Sequence, residues 1–254
     1  MKEEEKNMRV AQRGRRFLVI DDFLDEAALV ATRGMVDRAD YTKVDSVIAP
    51  DDDGPAYRSR GTQFTEELGG ADVPGRPRVY REVTRTVRSH PELYGVGGTD
   101  WNRVGFTFWK YPAGSRLGWH NDEGGGRRGE FILFLHQRWR PSWGGELLLL
   151  DEDPEPLLGS VPAHPDPSVL MERLLDRCPT SPVAVLPRPN RLVLVKAGTV
   201  HQIHRVDRTA GDAVRRTLTG FVSQDDQSRR AARETFASTL GRWDDSLHAG
   251  ARGR

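Results

Sequence analysis

Two histidines and an aspartate are the residues of this chain whose types and spacing best suit chemistry. His120-Asn121-Asp122 sets an imidazole and a carboxylate two positions apart. On a strand, residues i and i+2 face the same side, so both groups can address one point in space. Gly118 precedes the pair, and Glu123 and three glycines at 124–126 follow it, which suits a site left open on one side. An isolated pair of this kind is more often a chance surface feature. Further along, the run 191–206 carries His201 and His204 after an apolar stretch. Two imidazoles and one carboxylate make the facial set that holds non-haem Fe(II) and leaves three coordination positions free. The same donors can also hold Zn²⁺, and either histidine alone would more ordinarily be structural. A third feature is Arg215-Arg216-Thr217-Leu218-Thr219. On a strand, Arg215, Thr217 and Thr219 share a face. A guanidinium turned inward needs an anionic partner, because a buried unpaired charge is costly, and a dicarboxylate ligand would supply one two-pronged. Arg216 falls on the opposite, solvent-facing side.

The elements that must position these groups can be read from hydrophobic periodicity. Residues 17–20 form a short strand, and Asp25 caps a helix over 26–36. Residues 38–75 are rich in Asp, Gly and Pro and are expected to be an irregular connection. Val79, Val83 and Val87 recur on one face of a helix over 76–89. From Gly105 onward, short apolar runs at 106–111, 131–135, 147–150, 183–186, 191–195 and 217–222 alternate with Gly, Pro and Asp clusters. That is the texture of a sandwich or barrel. An acidic, Pro-rich insert at 152–182, with a short helix over 168–176, interrupts them. A last helix is expected at 228–240. The fold class expected is α+β, with a mostly antiparallel β-core flanked by N-terminal and C-terminal helices. The organisation expected is a disordered tail at 1–16, one domain over 17–240 with its β-core at about 104–224, and a tail at 241–254.

Composition narrows the function classes. Thirty-eight basic residues against thirty-seven acidic ones leave a net charge of +1. That disfavours wholesale binding to nucleic acid. With one cysteine, Cys178, neither an intrachain disulfide nor a cysteine-based zinc site can form. No apolar run is long enough to span a bilayer, and the polar N-terminus lacks an apolar core for export. The chain is read as soluble and cytoplasmic, without a membrane partner.

In order, Tyr111, His120-x-Asp122, Phe131-Ile-Leu-Phe-Leu, Trp143-Gly-Gly-Glu-Leu, Arg191-Leu-Val-Leu-Val, His201-Gln-Ile and Arg215-x-Thr-Leu-Thr-Gly-Phe resemble the prolyl 4-hydroxylase-like family of Fe(II)/2-oxoglutarate-dependent dioxygenases. The resemblance covers about residues 104–224. It implies a double-stranded β-helix, or jelly roll, with His120, Asp122 and His201 binding iron. It also implies that Arg215 holds the distal carboxylate of 2-oxoglutarate and that the Tyr111 hydroxyl lies near this cosubstrate. Fe(II), 2-oxoglutarate and O₂, with ascorbate as an accessory reductant, are the cofactors it implies, and succinate and CO₂ the coproducts. The retained Asp122 favours hydroxylation over halogenation. Two positions depart from the pattern: Phe134 stands where many members have a second Tyr, and Phe221 where Trp is usual. His204 is the alternative to His201, and if both lie on one strand their separation of three turns them to opposite faces.

A hydroxylase of an unactivated C–H on a small molecule or amino-acid-type substrate is the leading expectation. A peptidyl, prolyl-type hydroxylase is the alternative. A zinc hydrolase using the same three donors, or a non-catalytic jelly roll that binds a ligand, are rivals of other classes. The first gives no role to Arg215 and Tyr111, and the second would be favoured by a missing donor.

Overall fold

A computed structural model describes residues 8–66, 70–159, 161, 162, 164 and 167–224. The elements, in chain order, are β1 (Arg9–Arg13), β2 (Phe17–Asp21), α1 (Glu26–Arg38), β3 (Tyr41–Val44), β4 (Ala56–Ser59), β5 (Thr62–Thr65), α2 (Arg78–Arg88), α3 (Pro91–Tyr94), β6 (Arg103–Tyr111), β7 (Leu117–His120), β8 (Arg127–Phe134), β9 (Leu147–Leu149), α4 (Pro154–Leu158), α5 (Pro167–Arg177), β10 (Val183–Val185), β11 (Leu192–Lys196), β12 (His201–Ile203) and β13 (Arg215–Ser223). They build an α+β fold of two antiparallel sheets. The larger runs β1-β2-β11-β8-β13-β6-β4-β3, with β5 also on β6; the smaller runs β10-β9-β12-β7. The expected helix at 228–240 and the tail at 241–254 lie outside the described residues. Among the described residues, no helix is long and apolar enough to cross a membrane.

The near-continuous apolar runs of β2, β8 and β11 exist because both faces of the larger sheet are covered. Leu18, Ile20, Phe131, Leu133, Leu192 and Leu194 point outward and meet α1 and α2 through Leu29, Val36, Val79, Val83 and Val87. Their strand neighbours Phe17, Val19, Ile132, Phe134, Val193 and Val195 point inward and pack on Leu147, Leu149 and Val185 of the smaller sheet. The core therefore has two layers, and the site lies in the inner one. Asp25 caps α1 as expected, its carboxylate accepting from the Ala28 amide at 2.9 Å. Within the insert, α5 lays Met171 and Leu174 against Leu150 and Val200.

Two expectations are corrected. Arg9–Arg13, placed in a disordered tail, form an edge strand on β2. The strand has no apolar face, so periodicity could not show it. The free edge of β2 recruits it, and Arg9 pairs with Asp21 at 2.9 Å. The stretch 38–75, read as irregular, contains β3, β4 and β5. These are four-residue strands of mixed exposure, β4 lying between β6 and β3, and they are too short to show a clear period.

Strands β6 and β13 make a close crossing at a glycine pair. A Cβ built on Gly220 would sit 1.6 Å from the Gly105 carbonyl oxygen. No side-chain movement can relieve a clash with backbone. Gly220→Ala is expected to destabilise the protein by about 3 kcal/mol, read as a lower denaturation midpoint. An unchanged midpoint would mean that the two strands can part at no cost.

Candidate metal centre

The two histidines are brought together by strand pairing. His120 ends β7 and His201 begins β12, and the two are directly opposed across the antiparallel ladder, with ring centroids 4.2 Å apart. In each ring Nδ1 lies against a backbone carbonyl: His120 on Gly118 at 2.7 Å and His201 on Thr199 at 2.8 Å. A carbonyl only accepts, so Nδ1 carries the proton, and the lone pair is left on Nε2. Both lone pairs face one space. Asp122 reaches the same space from beyond the strand. It adopts a left-handed backbone conformation with φ 49°, which Asp tolerates better than most residues. The convergence of His120 and Asp122 thus comes from a turn after β7 and not from alternation along it. Asp122 Oδ2 lies 3.5 Å from His120 Nε2 and 3.7 Å from His201 Nε2. One donor atom from each of the three residues lies within 4.8 Å of the others.

The protonation states suit a cation. Burial alone would raise Asp122, but its neighbours His120, His201 and Arg127 hold it at about 2. Burial lowers His201, against the opposing pull of Asp122. The site near neutral pH therefore offers one ionised carboxylate and a neutral His201. His204 is turned away: its side chain is 56% exposed and pairs with Glu146 at 3.1 Å. Ile203 instead faces the same cavity as His201. Loss of Asp122 is expected to cost more than one donor, because it is the anion of the set. Asp122→Ala should lose metal-dependent turnover, measured as succinate formed. Turnover at the native rate would move the carboxylate role to a neighbour, Glu123 being nearest in sequence.

The cavity behind the three donors has a volume of about 380 Å³. Its floor is built by β13, β6 and β8. Arg215 is 1% exposed and lies opposite Tyr111 in the β13–β6 register. Its Nε donates to the Gly145 carbonyl at 2.8 Å, while Nη1 and Nη2 have no partner. Gly145 belongs to the Trp-Gly-Gly-Glu run, and a Cβ there would come within 3.1 Å of the Arg215 side chain. Burial lowers Arg215 to about 10, still charged at neutral pH. The Phe134 ring lies 4.8 Å from the guanidinium carbon. Thr217, opposite Phe134 in the ladder, holds a fully buried hydroxyl that also lacks a partner. The position where the resemblance expects a Tyr hydroxyl is thus apolar, and an unpartnered hydroxyl stands across from it. Tyr111 keeps its proton, since burial pushes its hydroxyl well above the usual range. Two guanidinium nitrogens and a hydroxyl, all buried and unpartnered, fit a carboxylate entering from the cavity. The residues present therefore fit both a metal and a dicarboxylate beside it.

Other groups shape the site that the sequence did not single out. Arg127 donates to the carbonyl and to Oδ1 of Asp122 at 3.0 and 3.2 Å, and its guanidinium stacks 4.0 Å from the Phe221 ring. Glu130 faces the cavity from β8, with Oε1 3.0 Å from His201 Nε2. Burial first, then the charge of Asp122, push its carboxyl up to about 8, against the pull of His120 and Arg127. Its sequence signature was available: an acid at the inward parity of Ile132 and Phe134 in an otherwise apolar strand. On the opposite wall, Asp53 is fully buried and accepts from Ser46, from Arg116 at 3.1 Å and from the Gly118 amide at 3.3 Å. It fastens the segment 44–54 to β7, and residues 44–48 complete the lining.

Residues 106–223 match the model of the 2OG-Fe(II) oxygenase superfamily. No curated protein matches in sequence. Among solved structures, the chain is similar to a Pseudomonas putida prolyl-4-hydroxylase, with TM-score 0.54 and 14% identity, covering 82% of this chain and 92% of that one. It is also similar to a Trichoplax adhaerens prolyl hydroxylase solved with a hypoxia inducible factor oxygen degradation domain peptide fragment. There the TM-score is 0.52 and the identity 16%, over 86% of this chain and 87% of that one. A third is HygX of Streptomyces hygroscopicus with nickel and 2-oxoglutarate bound, with TM-score 0.50 and 13% identity, over 82% of each chain. At these identities the likeness is one of fold.

Proposed function

We propose that this dioxygenase, whose residues 106–223 form a 2OG-Fe(II) oxygenase domain, hydroxylates an unactivated C–H of a small molecule or amino-acid-type substrate. The cofactors of the superfamily are Fe(II), 2-oxoglutarate and O₂. When bound, they supply the oxidising chemistry, in which 2-oxoglutarate is split to succinate and CO₂ and one oxygen atom goes to the substrate. A zinc hydrolase and a non-catalytic jelly roll are set aside by the match to this domain.

In this reading His120, Asp122 and His201 hold the metal from one side and leave the cavity side open. Arg215 takes the distal carboxylate of 2-oxoglutarate with its two unpartnered nitrogens. Thr217 adds a hydroxyl and Tyr111 a neutral phenol beside it. Ile132, Leu147 and Ile203 line the same cavity and keep water from the reacting centre. Arg127 fixes Asp122 and keeps its second oxygen occupied, which steadies the open face.

The observation that carries the substrate class is the size of the cavity. About 380 Å³ is near the small end of ligand pockets, which run from about 300 to 1,000 Å³, and it must hold cosubstrate and substrate together. The peptidyl reading draws on a different feature, Val47, which lines the cavity and is 91% exposed at its rim. An apolar rim residue could support a chain lying across the mouth. Succinate release across a panel of free amino acids, small amines and proline-containing peptides separates the two. Stimulation by members of the small-molecule set supports the proposal; stimulation by peptides alone would replace it with the peptidyl reading.

A further inference from the structure

We infer that Arg58 recognises the substrate through a carboxylate, at an anion site separate from the one that takes 2-oxoglutarate. This deepens the reading of the cavity as a 2-oxoglutarate oxygenase site and rests on it. The first observation is how the cavity's cations are partnered. Four arginines line it: Arg58, Arg116, Arg127 and Arg215. Arg116 is paired with Asp52 and Asp53, Arg127 is paired with Asp122, and Arg215 is the group set for the cosubstrate. The Arg58 side chain has no hydrogen bond or ion pair among the described residues, although Asp45 lines the same cavity. Asp45 pairs instead with Lys43 at 3.8 Å.

The second observation is placement. Arg58 lies opposite Trp109 in the β4–β6 ladder, Trp109 opposite Thr217 in the β6–β13 ladder, and Thr217 opposite Phe134 in the β13–β8 ladder. Directly opposed residues share a face, so these four form one row on the inner face of the larger sheet. Ala56, two positions before Arg58, lines the cavity as well. An exposed arginine on an outer face needs no partner beyond water. Arg58 is exposed, yet its strand register turns it into the cavity that must admit a substrate. Between it and Arg215 runs β6, carrying the stacked rings of Trp109 and Tyr111 with centroids 6.0 Å apart. The two guanidinium groups therefore serve two anions. A guanidinium binds a carboxylate two-pronged, and at this position the carboxylate belongs to the substrate.

The test follows the Nε–Hε resonances of ¹⁵N-arginine-labelled protein, loaded with Zn²⁺ as a diamagnetic metal and saturated with 2-oxoglutarate, as butyrate, butyramide or inorganic phosphate is added. The Arg58 resonance is assigned by its loss in Arg58→Gln. The expected result is a saturable shift of Arg58 with butyrate, with an affinity at least about tenfold above that for butyramide, and no such shift at the exposed Arg60. No shift with butyrate, an equal response to butyramide, or equal movement of Arg60 would overturn the inference. A response to phosphate alone would overturn the carboxylate assignment. In the same sample, before butyrate is added, a 2-oxoglutarate-induced shift of Arg215 checks the underlying reading; its absence would sink that reading and not the role of Arg58.

Turnover gives a second readout, as succinate release with free amino acids and their amides. For each amino acid that stimulates, the amide should show a KM at least about tenfold higher. Arg58→Gln should erase that preference and Arg58→Lys should retain part of it. A preference kept in full by Arg58→Gln would place the substrate carboxylate elsewhere and overturn the inference.

Discussion

An Arg215→Leu variant is expected to bind 2-oxoglutarate at least 100-fold more weakly than the parent protein while retaining its affinity for Fe(II). The guanidinium is 1% exposed and anchored through Nε to the Gly145 carbonyl, with Nη1 and Nη2 both unpartnered. Each charge-assisted hydrogen bond to a carboxylate is worth about 1.5–3 kcal/mol, and about 1.4 kcal/mol corresponds to tenfold in affinity. Two such bonds in a buried site account for the expected loss. The same substitution carries a second, less obvious expectation. Leu removes a buried, unsatisfied charge, so the ligand-free variant should be no less stable than the parent. Calorimetry with 2-oxoglutarate and a thermal melt of the ligand-free protein check both. Near-normal 2-oxoglutarate affinity would remove Arg215 from the site.

The second large effect distinguishes two histidines three residues apart. His201→Ala is expected to weaken Fe(II) binding by more than about 100-fold and to stop 2-oxoglutarate decarboxylation, since loss of a ligand exceeds the 10- to 100-fold typical of its outer partners. His204→Ala should keep both within a few fold. His201 is buried, stands opposite His120 and is aimed by the Thr199 carbonyl. His204 is exposed and paired with Glu146. Iron content after anaerobic reconstitution, together with CO₂ release, reads the difference. The reverse pattern would transfer the ligand role to His204. Loss in both would show that the His204–Glu146 pair supports the site from outside.

Much of this arrangement was legible because a few residue types can do the chemistry and their order is constrained by the strands that carry them. The apolar runs of β8, β11 and β13 announced a core covered on both faces. The His-Gln-Ile run of the resemblance, and not strand parity, favoured His201 over His204, which lies just past the end of β12; parity placed Arg215, Thr217 and Thr219 on one side. The strands β1, β3, β4 and β5 were not legible, since each is only four or five residues long and mixes exposed and at least partly buried side chains without a regular period. Asp122 was placed near His120 for the wrong local reason, because a single left-handed residue after a strand has no marker in sequence beyond the tolerance of Asp for it. Arg127 and Glu130 escaped for a different reason. A charged residue on a strand reads as solvent-facing until the opposite wall is known, and here the walls come from β12 and β13, some seventy to ninety positions later.

The central claim is that one cavity holds a metal on His120, Asp122 and His201 and a dicarboxylate on Arg215. Its most direct test is anaerobic titration of 2-oxoglutarate into the Fe(II)-loaded wild-type protein, followed by visible absorption. The account predicts a charge-transfer band that grows to saturation at one equivalent of 2-oxoglutarate, is absent with Fe(II) or 2-oxoglutarate alone, and fails to form in His201→Ala. A wild-type protein that binds Fe(II) but shows no such band, or a band of equal strength in His201→Ala, would contradict it.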